Sequence, residues 1–94
     1  MKKVSFRIKR RFFNQIVEGI RSYELRSNIK YWRWLLGDDP PKVAVFICGK
    51  DMHRRQITNI YLESPCEHPH TPNNIKTKDC IVIELGEKVQ TGLT

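Results

Sequence analysis

The sequence contains no long apolar segment. Its longest apolar run, Val43–Cys48, has the length of a strand, whereas a membrane-spanning helix needs roughly 18–20 apolar residues. Behind the basic start Met1–Lys3, Arg7 and Lys9 occupy the place where a signal peptide has its apolar core. These absences predict a cytoplasmic protein with no membrane partner.

Cysteines are few, and their number is odd. The chain has Cys48, Cys66 and Cys80, and an odd count without a secretory signal argues against a disulfide framework. Cys48 and Cys80 stand among apolar, β-branched neighbours. We therefore expect both to be reduced side chains in the core.

The chain is too short for a second domain. Its 94 residues predict one domain spanning 1–94, with no room for a separate cofactor-binding domain, and no cofactor is expected. Residues 87–94 are mostly polar and are predicted to fray. The sequence leaves the oligomeric state open, and a monomer is the simplest expectation.

Acidic residues are scarce in the first third of the chain. Residues 1–33 hold ten Lys and Arg against two Glu, a net +8, while residues 34–94 hold seven basic and eight acidic residues, a net −1. A localised positive field attracts polyanions, of which nucleic acid is the commonest. RNA or a nucleotide-like ligand is therefore the predicted partner, and a basic face that serves only solubility is the alternative.

Hydrophobic periodicity predicts mostly strands. Apolar residues alternate over residues 4–9 and 22–26 and recur with helical spacing over 12–20, while 29–36 fits a short helix or an irregular loop. Further strands are predicted at 42–48, at 55–63 with an irregularity, and at 78–85. The fold class is therefore α+β, mostly β: a small, mostly antiparallel barrel of about five strands, with one or two helices near the N-terminus.

One segment carries a family resemblance. Residues 12–26 read Phe-Phe-Asn-Gln-Ile-Val-Glu-Gly-Ile-Arg-Ser-Tyr-Glu-Leu-Arg, an amphipathic helix followed by Gly19 and a strand with Glu24 and Arg26. This order resembles the signature of the ASCH domain family, a branch of the PUA-like superfamily. In that signature a helix precedes Gly-x-Lys and a strand reading x-x-Glu-x-Arg. Val43–Cys48 also looks like the family's next barrel strand.

The resemblance implies a PUA-like β-barrel with a cleft beside the first helix, and binding of RNA or a modified nucleobase. Some relatives resemble ribonucleases, and others resemble amidohydrolases that deacylate modified cytidines with a lysine, a threonine and a glutamate. Here Arg21 replaces the pattern's lysine, and Glu24 stands where the cytidine hydrolases look to have threonine. Arginine keeps its proton, so Arg21 suits recognition of phosphate or carbonyl groups better than proton transfer.

The residues themselves permit two interpretations of this strand. Ser22, Glu24 and Arg26 share one face of it, and Tyr23 and Leu25 share the other. If the polar face lines a cleft, the glutamate accepts amino protons of a base and the arginine holds phosphate or a base edge. If that face is solvated, the pair is a weak surface salt bridge.

Basic and aromatic residues around this unit complete the predicted site. Cations precede the helix, and no capping residue accepts hydrogen bonds from its first N–H groups. An anion bound there would satisfy both, so a phosphate site is predicted at the helix N-terminus. The alternative is a run of solvated charges. The stretch 31–34 interleaves aromatic rings with a cation, which is typical of base-stacking surfaces and also of core packing. The predicted ligand-binding residues are Lys9, Arg10, Arg11, Arg21, Ser22, Glu24, Arg26, Trp32, Lys50 and Arg54.

Two alternative functions stay open. One is a metal-independent ribonuclease or amidohydrolase, with Glu24 as general base, Arg21 as oxyanion stabiliser, and Glu63 or Glu84 as a possible helper. The other is a protein-interaction module built on Trp32 and Trp34.

A metal site is not predicted. Cys66, His68 and His70 are suitable ligand types, but their spacing matches no common structural zinc motif. A loop over the mouth of the cleft is the favoured interpretation of this segment.

Overall fold

The computed structural model describes residues 2–67 and 78–89. They form five strands, one α-helix and one 3-10 helix. In chain order these are β1 Lys3–Arg7, α1 Arg10–Val17, β2 Tyr23–Ser27, the 3-10 helix Arg33–Leu36, β3 Val43–Cys48, β4 Asp51–Glu63 and β5 Cys80–Lys88.

The strands build one sheet in the order β1-β3-β4-β5-β2. β1 runs parallel to β3, and the other neighbours are antiparallel. The sheet curls into a half-barrel whose two edges are β1 and β2. The predicted α+β, mostly β class with a five-stranded, mostly antiparallel barrel-like sheet is confirmed.

The concave face of the sheet packs against α1 and the 3-10 helix. Its core is apolar and includes the fully buried rings of Phe6 and Phe46, whose centroids lie 5.6 Å apart. From α1, Phe13 and Ile16 enter this core. Val17 and Ile20, which the sequence pattern placed in the same stripe, are 48% and 73% exposed; the helix ends at Val17, so Ile20 lies outside it.

A glycine ends the helix as the sequence predicted. Gly19 has φ +78°, and the N–H groups of Gly19 and Ile20 donate to the carbonyls of Ile16 and Gln15 at 3.2 and 2.9 Å. These two bonds are those of a Schellman motif, which needs a left-handed residue at this position. The turn directs the chain from α1 straight into β2.

The long strand β4 is irregular, as predicted, but it begins at Asp51 rather than Arg55. Register shifts flank Ile57 where β4 pairs with β5. Opposite them, a Cβ on Gly86 would meet Thr58 Cγ2 at 2.8 Å, so a larger residue there would have to displace the Thr58 side chain. β5 extends to Lys88, and the frayed tail expected from residue 87 is therefore wrong for residues 87 and 88.

A disulfide joins Cys66 to Cys80, with a Cα–Cα distance of 5.4 Å. The prediction of a reduced Cys80 is wrong, whereas Cys48 is a free thiol as expected. Both bonded cysteines are buried with Leu25 and Val82 in a second apolar cluster, on the other face of the sheet from Phe6. Sequence reasoning excluded the pair because it counted cysteines, and the count cannot show which two lie within bonding distance.

One histidine is buried in the strand layer. His53 is 7% exposed and meets the edge of the Phe13 ring. Burial lowers the pKa of His53, and the positive charges of Arg55 and Lys88 lower it further. The imidazole is therefore neutral in the folded chain at neutral pH.

None of the helices in the described residues is long and apolar enough to cross a membrane.

We predict that the disulfide stabilises the fold. It closes a loop whose ends are 14 residues apart, and a loop of about this size is worth roughly 3 kcal/mol. Urea unfolding with and without dithiothreitol should show this loss in the wild type and in Cys48→Ala. A Cys66→Ala/Cys80→Ala variant should be insensitive to the reductant. Three reactive thiols in the native, non-reduced chain, instead of one, would contradict the prediction.

We also predict that acid destabilises the fold through His53. Because its pKa is lowered in the folded state, the unfolded chain binds a proton first as the pH falls below about 6.5. Stability should then fall by up to about 1.4 kcal/mol per pH unit until the folded-state pKa is reached. His53→Gln should show a shallower dependence in urea titrations between pH 7.5 and 5. Since the two proteins differ only at residue 53, equal slopes would exclude His53 as the cause.

Candidate functional site

A cleft lies at the seam between the two free edges of the sheet. Its volume is about 200 Å³, and it opens beside the N-terminal half of α1. The lining residues come from the end of β1, from α1, and from the turn and strand that follow the helix: Arg7, Ile8, Lys9, Phe12, Arg21, Glu24, Leu25 and Arg26. The predicted cleft beside the first helix is thus present in the structure.

Local structure places the three charged residues of its floor. The Schellman turn after α1 brings Arg21 back under the helix, where the backbone N–H of Arg21 donates to the backbone carbonyl of Gln15 at 3.1 Å. β2 then pairs with β5 and presents alternate residues to opposite faces. Leu25 enters the apolar cluster around the disulfide, while Glu24 and Arg26 turn towards the cleft.

Glu24 is a buried carboxylate held between two guanidinium groups. Its side chain is 6% exposed. Arg26 Nη2 donates to Oε2 at 2.6 Å, and Arg21 Nη2 donates to Oε1 at 3.4 Å. The backbone N–H of Leu25 lies 3.3 Å from Oε1. A carboxylate is tolerated at this depth only because opposite charges and hydrogen bonds compensate it.

Aromatic rings flank both guanidinium groups. The Arg21 group lies 4.8 Å from the Phe12 ring centroid and 5.0 Å from that of Tyr23. The Arg26 group lies 4.8 Å from Phe6 and 5.2 Å from Trp32. Guanidinium groups pack well on aromatic faces. These contacts fix both arginines in one position, and through Phe6 they link β2 to β1 across the seam.

Each arginine keeps one buried donor unused. Arg21 Nη1 and Arg26 Nε have no hydrogen-bond partner among the described residues. Arg21 Nε does have one, since it donates to Tyr23 O at 3.1 Å. An unpaired buried N–H costs about 1–3 kcal/mol and more on a charged group. The cluster therefore has hydrogen-bonding capacity left for an acceptor.

The structure brings together only part of the predicted site. Arg21, Glu24, Arg26 and Lys9 line the cleft. Ser22 is exposed, precedes β2 and does not line it.

The other predicted residues lie outside the cleft. Arg10 forms an exposed ion pair with Asp51 at 2.8 Å, which raises the Arg10 pKa through its hydrogen bond. The Arg11 guanidinium lies 4.7 Å from the centroid of the Phe12 ring. Lys50 lies in the exposed turn beside Asp51. Arg54 is on β4, away from the cleft lining.

Trp32 and Trp34 have different surroundings. Trp32 is half-buried against Phe6, with ring centroids 5.4 Å apart, so it is part of the core as well as a neighbour of Arg26. Trp34 is 40% exposed, and Lys2 Nζ lies 5.3 Å from its ring. The two tryptophans therefore do not form one exposed apolar surface.

Sequence reasoning missed four residues that line the cleft: Arg7, Ile8, Phe12 and Leu25. Arg7 lies at the end of β1, and Phe12 lies under the Arg21 guanidinium. The alternation of apolar and polar residues along β1 does place Arg7 on the polar face of the strand. Its proximity to Arg26 could not be read from the sequence, because it depends on the two sheet edges facing each other.

A second cavity of similar volume lies beside the irregularity of β4. It is lined by parts of the segments 35–42 and 57–60, and Lys42 is its only charged side chain. Since this cavity lacks the cluster of charged side chains found in the seam cleft, the seam cleft is the better candidate for recognition of an anionic ligand.

The described residues offer no ready metal site. Glu63, Cys66 and Cys80 approach one another within 4.8 Å, but both sulfur atoms are joined in the disulfide and neither is a thiolate ligand. His68 and His70, considered with Cys66 as ligands, lie outside the described residues.

No protein-family model matches the chain, and no curated protein matches it. Both oxygens of Glu24 accept hydrogen bonds, so the carboxylate has little capacity left to abstract a proton. The arrangement is better suited to hold an anion or a polar base edge than to perform acid–base chemistry.

We predict that Glu24 is needed to stabilise the two arginines. Glu24→Gln keeps the shape but removes the buried negative charge, which should cost about 3 kcal/mol. Asp51→Asn removes the carboxylate of an exposed pair, Arg10–Asp51, and should cost at most about 1 kcal/mol. Urea unfolding of the three proteins measures both values. Equal, small losses would show that the buried cluster does not depend on its carboxylate.

Proposed function

We propose that this chain is an ASCH-like protein of the PUA-like superfamily that binds RNA, or a modified nucleobase or nucleotide, in the seam cleft. The observation that carries the proposal is the pair of guanidinium groups on Glu24, of the buried Arg21 and the partly buried Arg26, each with an N–H left unused. Such groups recognise phosphate oxygens and base carbonyls through a fixed fork of donors.

Charge supports the same ligand class. The Glu24 carboxylate offsets one of the two arginines on the cleft floor, and exposed Arg7 and Lys9 add positive charge at its rim. No described residue forms an ion pair with either rim cation. The cleft therefore has a net positive charge, which favours a ligand with a phosphate.

Size and lining favour a small unit of such a ligand. A volume of about 200 Å³ is below the roughly 300–1,000 Å³ of sites for drug-sized molecules. It suits one base or one phosphate group. Phe12 contributes an aromatic ring to the wall, and this ring supports the Arg21 guanidinium at 4.8 Å. In this proposal Arg21 and Arg26 contact the ligand, and Glu24 holds them in position.

A titration followed by amide chemical shifts tests the proposal. The isotope-labelled chain is mixed with a mixed-sequence RNA hexamer and, separately, with N4-acetylcytidine, and products are analysed. Shifts confined to residues 21–26 and the α1 N-terminus, without turnover, support binding. Turnover that disappears in Glu24→Gln supports the hydrolase instead. Absence of both responses rejects the cleft as a nucleic-acid site and favours a protein-interaction module.

We predict that rim charges control the salt dependence of RNA binding. Arg7→Glu/Lys9→Glu removes two phosphate contacts, and the slope of log K against log salt for the hexamer should fall by roughly 1.4. The matched control is Lys3→Glu/Lys42→Glu. It reverses two exposed cations at the opposite end of the parallel β1–β3 pair, where Lys3 is level with Val43.

The control variant should change the slope far less than the rim variant. Equal changes in both would mean that RNA responds to overall charge and not to the cleft. Anisotropy of a labelled hexamer between 50 and 200 mM salt provides the measurement.

A further inference from the structure

The cleft does not end at Arg26. On the side of the 3-10 helix, the Arg26 guanidinium lies 5.2 Å from the ring of Trp32, and Trp32 is fixed from behind by Phe6 at 5.4 Å. Trp32 therefore joins the charged floor of the cleft to the surface that follows β2.

Tyr31 stands next on this surface. Its ring centroid lies 4.8 Å from that of Trp32, with the two planes at 88°. An edge-to-face contact of this kind occupies at most one face of either ring. Tyr31 is 71% exposed, so its ring is held by a core side chain while at least one face remains open to solvent.

Cations flank this exposed ring. Lys30 precedes Tyr31 and Arg33 follows Trp32, and both are exposed. Neither forms an ion pair with any residue in the described part of the chain. An open aromatic face between unpaired cations matches the chemistry of single-stranded nucleic acid, whose bases stack and whose phosphates carry charge.

We propose that Tyr31 stacks on a base of a single-stranded RNA that continues out of the cleft, while Trp32 holds the tyrosine ring in place. The inference rests on the proposed function of the cleft and specifies its ligand as a polynucleotide strand. In this proposal a free nucleotide occupies the cleft alone and does not contact Tyr31.

The separation fits such a strand. The two ring contacts place Tyr31 no more than about 10 Å from the Arg26 guanidinium, which a stacked strand spans in about three nucleotides at ~3.4 Å each. A hexamer is long enough to occupy both positions.

The test compares two probes on three proteins. The probes are the mixed-sequence RNA hexamer and the four ribonucleoside monophosphates, and the proteins are wild type, Tyr31→Ala and Tyr31→Phe. Loss of one stacked base should weaken hexamer binding by Tyr31→Ala roughly 5- to 150-fold. Tyr31→Phe keeps the ring and should bind the hexamer within about twofold of wild type. The affinity for monophosphates should be the same in all three proteins.

The outcomes separate this inference from the proposed function. If Tyr31→Ala binds the hexamer as tightly as wild type while Arg7→Glu/Lys9→Glu does not, the stacking position is wrong and the cleft proposal stands. A docking surface for protein is then the better interpretation of Tyr31. If Tyr31→Ala weakens hexamer and monophosphates equally, Tyr31 belongs to the cleft itself and the strand model is overturned. If wild type binds neither probe, the proposed function fails, and the inference fails with it.

An amide spectrum of Tyr31→Ala that matches wild type outside residues 29–34 shows that the fold is intact. Since Tyr31 is largely exposed, we expect this variant to fold.

Discussion

The carboxylate of Glu24 is the interaction on which the candidate site depends. It brings two positive groups from separate segments, the turn after α1 and the middle of β2, to within 3.4 Å of one acceptor. Without that charge, Arg21 and Arg26 would repel each other in a buried position. With it, both guanidinium groups are fixed against aromatic rings and each still has a donor to offer.

The topology of the sheet explains why this cluster is beside a cleft. β1 and β2 are the first two strands in the chain but lie at opposite edges of the sheet. Because the sheet curls, the edges face each other, and charged side chains near both edges share the gap between them. The guanidinium of Arg26 on β2 packs on the ring of Phe6 on β1, and this contact crosses the gap. A strand edge normally exposes unpaired backbone groups, and here the seam is partly filled by side chains that can also bind a ligand.

The features of the fold that depend on residues close in the sequence could be predicted from the sequence. The alternation over residues 22–26 correctly placed Leu25 in an apolar cluster on the other face of the strand from Arg26, because side chains of a strand alternate between faces. Gly19 correctly marked the helix end, because only a residue that tolerates positive φ completes the turn. The irregularity in β4 was likewise visible in its broken apolar pattern.

Predictions that needed distances between remote segments were less successful. Arg10 and Arg11 share the charge and the sequence neighbourhood of Lys9, yet only Lys9 lines the cleft, because the first turn of the helix points its side chains in different directions. Trp32 was assigned to the site by composition, and the structure shows that it supports Arg26 from within the core. Cys80 was expected to be reduced, although Cys66 lies opposite it across the second cluster.

By itself the sequence determined the strand-rich class, the helix–Gly19–strand unit and the concentration of positive charge in residues 1–33, since each follows from neighbours along the chain. Only the tertiary structure decided which of those charges act together. Arg7, Lys9, Arg21 and Arg26 converge because a curled five-stranded sheet places its first two strands at facing edges. The physical reason is that strand order and curvature are set by packing of the whole core, which no local pattern encodes.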